Sequence, residues 1–173
     1  MEATAFPTGN YIADIVVLDK HERIVLLVEV KAKKLAANAD KQQAFFLIKH
    51  YLNNVDKCKQ LSFGNKPFIM LVDLVSIIIF QDTSESYSEP LLSMQTSDIL
   101  NSYDDTFSEL SSKNHISGFY LETLVEAWLR DLAYHWKSPE PPASDRLKNI
   151  GLLQLIEGGT TLSQVNLDED TVR

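Results

Sequence analysis

Near the start of this 173-residue chain stand three residues whose types and spacing suit work on a hard cation and a phosphoryl group: Asp14, Glu29 and Lys31. Apolar runs flank them, Ile15–Leu18 and Ile24–Val30, rich in the Val, Ile and Leu of buried strands. The polar stretch Lys20-His21-Glu22-Arg23 between the runs supplies a turn, so the segment reads as a β-hairpin. With the turn centred between His21 and Glu22, Asp19 faces Ile24, Leu18 faces Val25, and Asp14 faces Glu29. Opposed residues share a sheet face, as do residues two apart on one strand. Asp14, Glu29 and Lys31 therefore project from one face, unless a bulge or an odd-length loop shifts the register. Two opposed carboxylates repel and call for a proton, an ammonium or a metal ion. Mg²⁺ (or Mn²⁺) suits such oxygen ligands, with the Val30 carbonyl as a third. Lys31 beside it would orient or deprotonate a water. That assembly is suited to phosphodiester hydrolysis.

Asp14 followed by Glu29-Val30-Lys31 at the end of an apolar strand resembles the D…(D/E)-x-K signature of the PD-(D/E)xK nuclease superfamily, which includes nuclease domains of type I restriction subunits. Ala13 stands where that signature usually has Pro. The resemblance spans roughly residues 11–81. It implies a restriction-endonuclease-like fold, a divalent cation held by Asp14, Glu29 and Val30, catalysis by Asp14, Glu29 and Lys31, and a nucleic-acid substrate, in the first instance DNA. Related families place a Gln four residues before a Tyr on the following helix. Tyr51 matches that Tyr; the Gln position holds Leu47, with Gln43 one turn earlier, and Gln43 is carried over as an auxiliary catalytic residue. The family's first helix has no counterpart ahead of Asp14, so another chain or a later segment is expected to cover that sheet face.

Charge distribution bears on the same question. The net charge of −8 argues against indiscriminate DNA binding. Between Lys20 and Lys66, however, ten Lys/Arg oppose four acids, whereas from Pro67 onward seventeen acids oppose six bases. Lys33, Lys34, Lys41 and Lys49, with Tyr51, are candidates to track nucleic-acid phosphates; a solvated helix face is the bland alternative. A single cysteine, Cys58, excludes an internal disulfide and a cysteine-based zinc site. The four histidines lack ligand spacing. No signal peptide or long apolar run is present, and the expectation is a cytoplasmic protein with no membrane contact.

The remaining elements must position the hairpin. Met1–Phe6 suggests an edge strand. A helix is expected over about 38–53, capped by Asn38 or Asp40, with Ala44, Phe45, Leu47, Ile48, Tyr51 and Leu52 as its apolar stripe. Gly64-Asn65-Lys66-Pro67 reads as a turn before a buried strand Phe68–Val72. A strand–helix–strand unit makes that strand parallel to the one carrying Glu29. Asp73 is a turn residue, and Ser76–Phe80 its hairpin mate. Thr96 caps a short helix to about Asn101. A strongly apolar helix follows over about 117–136, with Trp128 and Trp136 placed in the core by helical spacing. Ser144 caps a last helix to about Ile156, ended by Gly158-Gly159, and an edge strand begins at Thr160.

The fold expected is therefore α/β, a restriction-endonuclease-like mixed sheet flanked by helices. It forms a single domain, 1–173, with a nuclease-like core over 1–81 and a helical C-terminal extension over 92–157. The function expected is a Mg²⁺-dependent endonuclease. The alternative is an inactive or partner-dependent nuclease-fold interaction or DNA-binding protein. The apolar excess of the 117–136 helix suggests a homodimer, unless residues 144–173 fold back over it.

Overall fold

The structure, a computed structural model, describes residues 12–33, 46, 62–81, 90–113 and 115–166. Six strands form one mixed sheet: β1 (Ile12–Leu18), β2 (Arg23–Val30), β3 (Ser62–Val72), β4 (Ser76–Gln81), β5 (Leu92–Gln95) and β6 (Thr160–Asn166), in the order β5-β4-β3-β2-β1-β6. All neighbours are antiparallel except β2 and β3, which run parallel as the strand–helix–strand spacing implies. Of the segment joining that parallel pair, the described residues are Lys31, Ala32, Lys33 and Phe46, the last of them helical. The expected 38–53 helix, the Met1–Phe6 strand, Lys34, Lys41, Gln43, Lys49 and Tyr51 are thus not described.

The β1–β2 turn differs from expectation in a way that matters downstream. Its loop has three residues, Lys20 to Glu22: Asp19 N donates to Arg23 O and Glu22 N to Asp19 O, each at 2.9 Å. Glu22 takes the left-handed conformation (φ 65) that such a loop needs at its last position. Leu18 consequently faces Ile24, not Val25. A bulge then inserts Val25, so that Val17 faces Leu26, Val16 faces Leu27 and Ile15 faces Val28. The odd loop and the bulge cancel, and the far end of the hairpin keeps its expected register. Asp19 holds the turn. Its Oδ1 accepts from His21 N (2.9 Å) and Arg23 N (3.0 Å), and its Oδ2 pairs with the Arg23 guanidinium at 3.1 Å. Burial alone would raise this carboxyl; the backbone bonds from Arg23 and His21 and the Arg23 side chain outweigh it and hold it below its ordinary value.

Gly64-Asn65-Lys66-Pro67 is not a separate turn. It lies within β3, where the register jumps from Ile24–Phe63 to Leu26–Phe68, so the turn-forming residues are absorbed as a bulge. Asp73 is the turn residue expected: its Oδ1 accepts from Val75 N and Ser76 N, both at 2.7 Å.

Helices pack on one face of the sheet: α1 (Thr96–Leu100), α2 (Phe107–Ser112), α3 (Gly118–Tyr134), α4 (Ser144–Asn149) and α5 (Leu153–Ile156). Thr96 is not the cap of α1. Gln95 holds that position, and the Thr96 hydroxyl donates to Asp73 O at 2.9 Å. The last helix expected is split into α4 and α5 at Ile150-Gly151, with Gly151 at φ 85. Ser144 lies inside α4 and donates to Pro141 O. β5, a four-residue strand, had no counterpart in the sequence reading.

The helix α3 begins at a true cap, Ser117, whose side chain accepts from Tyr120 N. Its buried side chains Leu121, Leu124, Val125, Trp128, Leu129 and Leu132 join one cluster with Ile15, Val17, Val28 and Val30 of the hairpin. Leu147, Leu152, Leu153 and Ile156 belong to the same cluster. Most of the apolar surface of α3 is therefore covered within the chain, with Phe119 (80% exposed) left outside, and the argument for two-fold pairing loses most of that premise. Trp128 is fully buried, its Nε1 donating to Pro142 O. Trp136 is not core: it lies past the helix end, 54% exposed, with its Nε1 on Ala127 O. The C-terminal part is more than an appended helical extension, since among the described residues β5 and β6 are the outermost strands of the sheet. Among the described residues no helix is long and apolar enough to cross a membrane.

Candidate active site

The hairpin register that pairs Ile15 with Val28 brings Asp14 opposite Glu29 at the next step. Ile15, Val28 and Val30 face the helical cluster, so strand alternation turns Asp14, Glu29 and Lys31 the other way. One ion pair joins Lys31 to Glu29, and a backbone bond ties Asp14 to the neighbouring residue of β2. Lys31 Nζ lies 2.8 Å from Glu29 Oε2, and Asp14 Oδ2 accepts from Val30 N at 2.7 Å. The Val30 N–H thus orients the Asp14 carboxylate. Lys31 N donates to Val72 O at 2.8 Å, which anchors the end of β2 to β3. Asp73 follows Val72 at the same sheet end, with its carboxylate occupied in the turn.

The electrostatics are those of a site with surplus negative charge. The Asp14 carboxyl is pushed up to about 7, first by burial, then by the Glu29 carboxylate and by Glu122; the Val30 N–H and Lys31 pull the other way. Lys31 is itself raised. Burial would lower its ammonium, but the Glu29 hydrogen bond and charge, with Asp14 behind them, outweigh that. Glu29 is 7% exposed, whereas the Lys31 side chain is 42% exposed, so the ammonium end borders solvent.

Glu122 of α3 was missed by the sequence reading. It reaches the site through β6. Ala13 faces Val165 and Ile15 faces Ser163, which places Gln164 opposite Asp14. Gln164 takes a left-handed conformation (φ 55), and its Nε2 donates to Glu122 Oε1 at 2.8 Å. The same side of α3 carries Glu126 and Arg130, and Arg130 Nε donates to Thr161 Oγ1 of β6 at 2.9 Å. The only sequence signal was this i, i+4 polar row on an otherwise apolar helix. Of the hairpin's two faces α3 covers the one that carries Ile15 and Val28, and its Glu122 brings a third carboxylate into the field of Asp14.

The donor set fits a hard divalent cation. Among the described residues, two carboxylates on adjacent strands stand beside one ammonium, which rests on Glu29. Among the described residues no group of three or more His, Cys, Asp and Glu side chains is placed to hold a metal ion. The protein would supply the Asp14 and Glu29 carboxylates, with the Val30 carbonyl as the expected backbone ligand, leaving other positions to water or substrate, as Mg²⁺ commonly accepts. Of the candidate phosphate-tracking residues, Lys33 is exposed two positions beyond Lys31. No family model, curated protein or solved structure matches this chain.

If the charge of Glu122 acts on this centre, Glu122→Gln weakens Mg²⁺ binding about threefold, the scale of one partly solvated charge. Calorimetric titration of the two proteins checks it; equal affinities would confine Glu122 to its bond with Gln164.

Proposed function

We propose that this chain is a metal-dependent nuclease with a restriction-endonuclease-like sheet, hydrolysing nucleic-acid phosphodiesters, DNA in the first instance. The observation that carries the reading is the convergence of Asp14, Glu29 and Lys31 at one sheet end. Their arrangement on an antiparallel hairpin followed by a parallel strand supports it. Asp14 and Glu29 would hold Mg²⁺ or Mn²⁺, which supplies Lewis-acid activation of the phosphoryl oxygen and of water. Lys31 places its ammonium beside the phosphate and offsets charge developing there. Burial around Glu29 and Asp14 limits the water that would screen these charges. The cytoplasm is the compartment proposed, and a homodimer the assembly. Among the described residues β6 pairs on one side only, so its outer edge is where a second copy would join.

The test is incision of single- and double-stranded DNA and RNA with Mg²⁺ or Mn²⁺, with sedimentation of the same preparation. Binding measured in Ca²⁺ should weaken steeply with salt, and neutralising Lys33 and Lys34 together should reduce the slope of log affinity against log salt by about 1–2. An unchanged slope would return these lysines to ordinary solvated charges. Cation binding without incision of any substrate would leave the rival reading, a nuclease-fold nucleic-acid-binding protein.

A further inference from the structure

We infer that Lys31 is a resident cation of this site, and that a divalent ion displaces its ammonium from Glu29 and so hands it to the phosphate. The inference rests on the nuclease reading. Its physical basis is one contact seen against its surroundings. Lys31 Nζ sits 2.8 Å from Glu29 Oε2, a carboxylate on a residue only 7% exposed. A divalent ion on Glu29 needs carboxylate oxygen directed at itself, and it repels an ammonium at that distance. The Lys31 side chain is 42% exposed and carries a flexible four-carbon stem, so it can leave without moving β2. Its backbone stays fixed by the bond from Lys31 N to Val72 O. The ammonium therefore swings about a rigid anchor instead of leaving the site.

Two consequences follow. Without the ion, the Glu29 carboxylate keeps a counter-charge, so the hairpin end tolerates two facing acids. With the ion, the freed ammonium becomes available to an anionic substrate. Ion and phosphate then bind with positive coupling, because the first releases the group that receives the second. Lys31 is on this account a competitor of the metal as well as a helper of the reaction. A residue that only steadied Glu29 for the metal would act in the opposite direction.

The experiment is calorimetric titration of Mg²⁺ and Mn²⁺ into the full chain and into Lys31→Met and Lys31→Arg. Lys31→Met should bind both ions roughly tenfold more tightly than the wild type, within the usual range for coupled sites. Lys31→Arg, which keeps the charge, should stay close to the wild type. Unchanged or weaker binding by Lys31→Met overturns the inference while leaving the nuclease reading standing. Absence of ion binding in the wild type and in Lys31→Met removes both. If Lys31→Met does not fold, the wild type answers directly by nitrogen-15 NMR of the lysine side chains. The Lys31 ammonium, protected from solvent exchange on Glu29, should lose that protection at saturating Mg²⁺. Protection that persists overturns the inference.

Discussion

Glu29→Gln is expected to eliminate cation-dependent cleavage, a loss of at least about two orders of magnitude, together with most of the stabilisation that Mg²⁺ confers. A cation that binds only the folded chain raises its stability by mass action, about 2.7 kcal/mol at a hundredfold excess over the dissociation constant. Glutamine keeps the shape of the side chain at this 7% exposed position but removes its charge. The folded protein should survive the change. Lys31 loses its partner at 2.8 Å, yet its side chain is 42% exposed and can turn to solvent. Asp14 meanwhile loses a carboxylate that opposes its ionisation. Melting curves with and without Mg²⁺, paired with an incision assay, read both effects at once. Equal cation-induced shifts in wild type and Glu29→Gln would end the case for chelation at this site.

The placement of Glu29 opposite Asp14 was legible in the sequence, though through a turn of the wrong kind. The spacing implies an even loop; the chain uses an odd loop and restores the register with a bulge at Val25. The apolar alternation of the two strands demanded that outcome, because a one-residue slip would drive the charged set into the helical cluster. Local turn chemistry misled in a second place. Gly64-Asn65-Lys66-Pro67 has the residues of a turn, but pairing with β2 stops at Ile24–Phe63 and resumes at Leu26–Phe68, so these four residues are an unpaired bulge within β3 and not a break between elements. Glu122 was illegible for another reason. It lies more than a hundred residues from Asp14 in the chain, and only the docking of α3 against β6, with Gln164 between them, brings its charge to bear. Trp136 followed the helical period on paper, but His135 ends α3 in a left-handed conformation (φ 58) and sends the next residue to the surface. The α/β class and the parallel β2–β3 pair were readable from periodicity and spacing. The edges of the sheet were less so: β6 was expected, while the four residues of β5 are too few to show alternation.

Asp14→Asn should stabilise the cation-free protein at neutral pH and flatten its dependence on pH. The carboxyl has an ordinary value of 3.8 and is pushed up to about 7 in the folded chain. Between those values the folded state holds a proton that the unfolded state has released. Stability from this group is therefore greatest on the acid side, falls as pH rises from about 4 to about 7, and is gone above that. The gap corresponds to about 4 kcal/mol for a fully enclosed group. Asp14 is half-buried, and solvent screening reduces the expectation to about 1–2 kcal/mol. Burial sets it first; Glu29 on β2 and Glu122 on α3 add to it, and the Val30 N–H and Lys31, just past the end of β2, oppose it. Asparagine cannot ionise, so the variant should lose this part of the pH slope and exceed the wild type in stability above pH 7. Saturating Mg²⁺ should narrow the difference, since the ion stabilises the ionised wild type and has less to bind in the variant. Denaturant titrations at pH 5 and pH 8, with and without Mg²⁺, measure all four quantities. Should the cation-free wild type lose no stability between those pH values relative to Asp14→Asn, Asp14 is not the strained carboxyl that a cation site at this hairpin end requires.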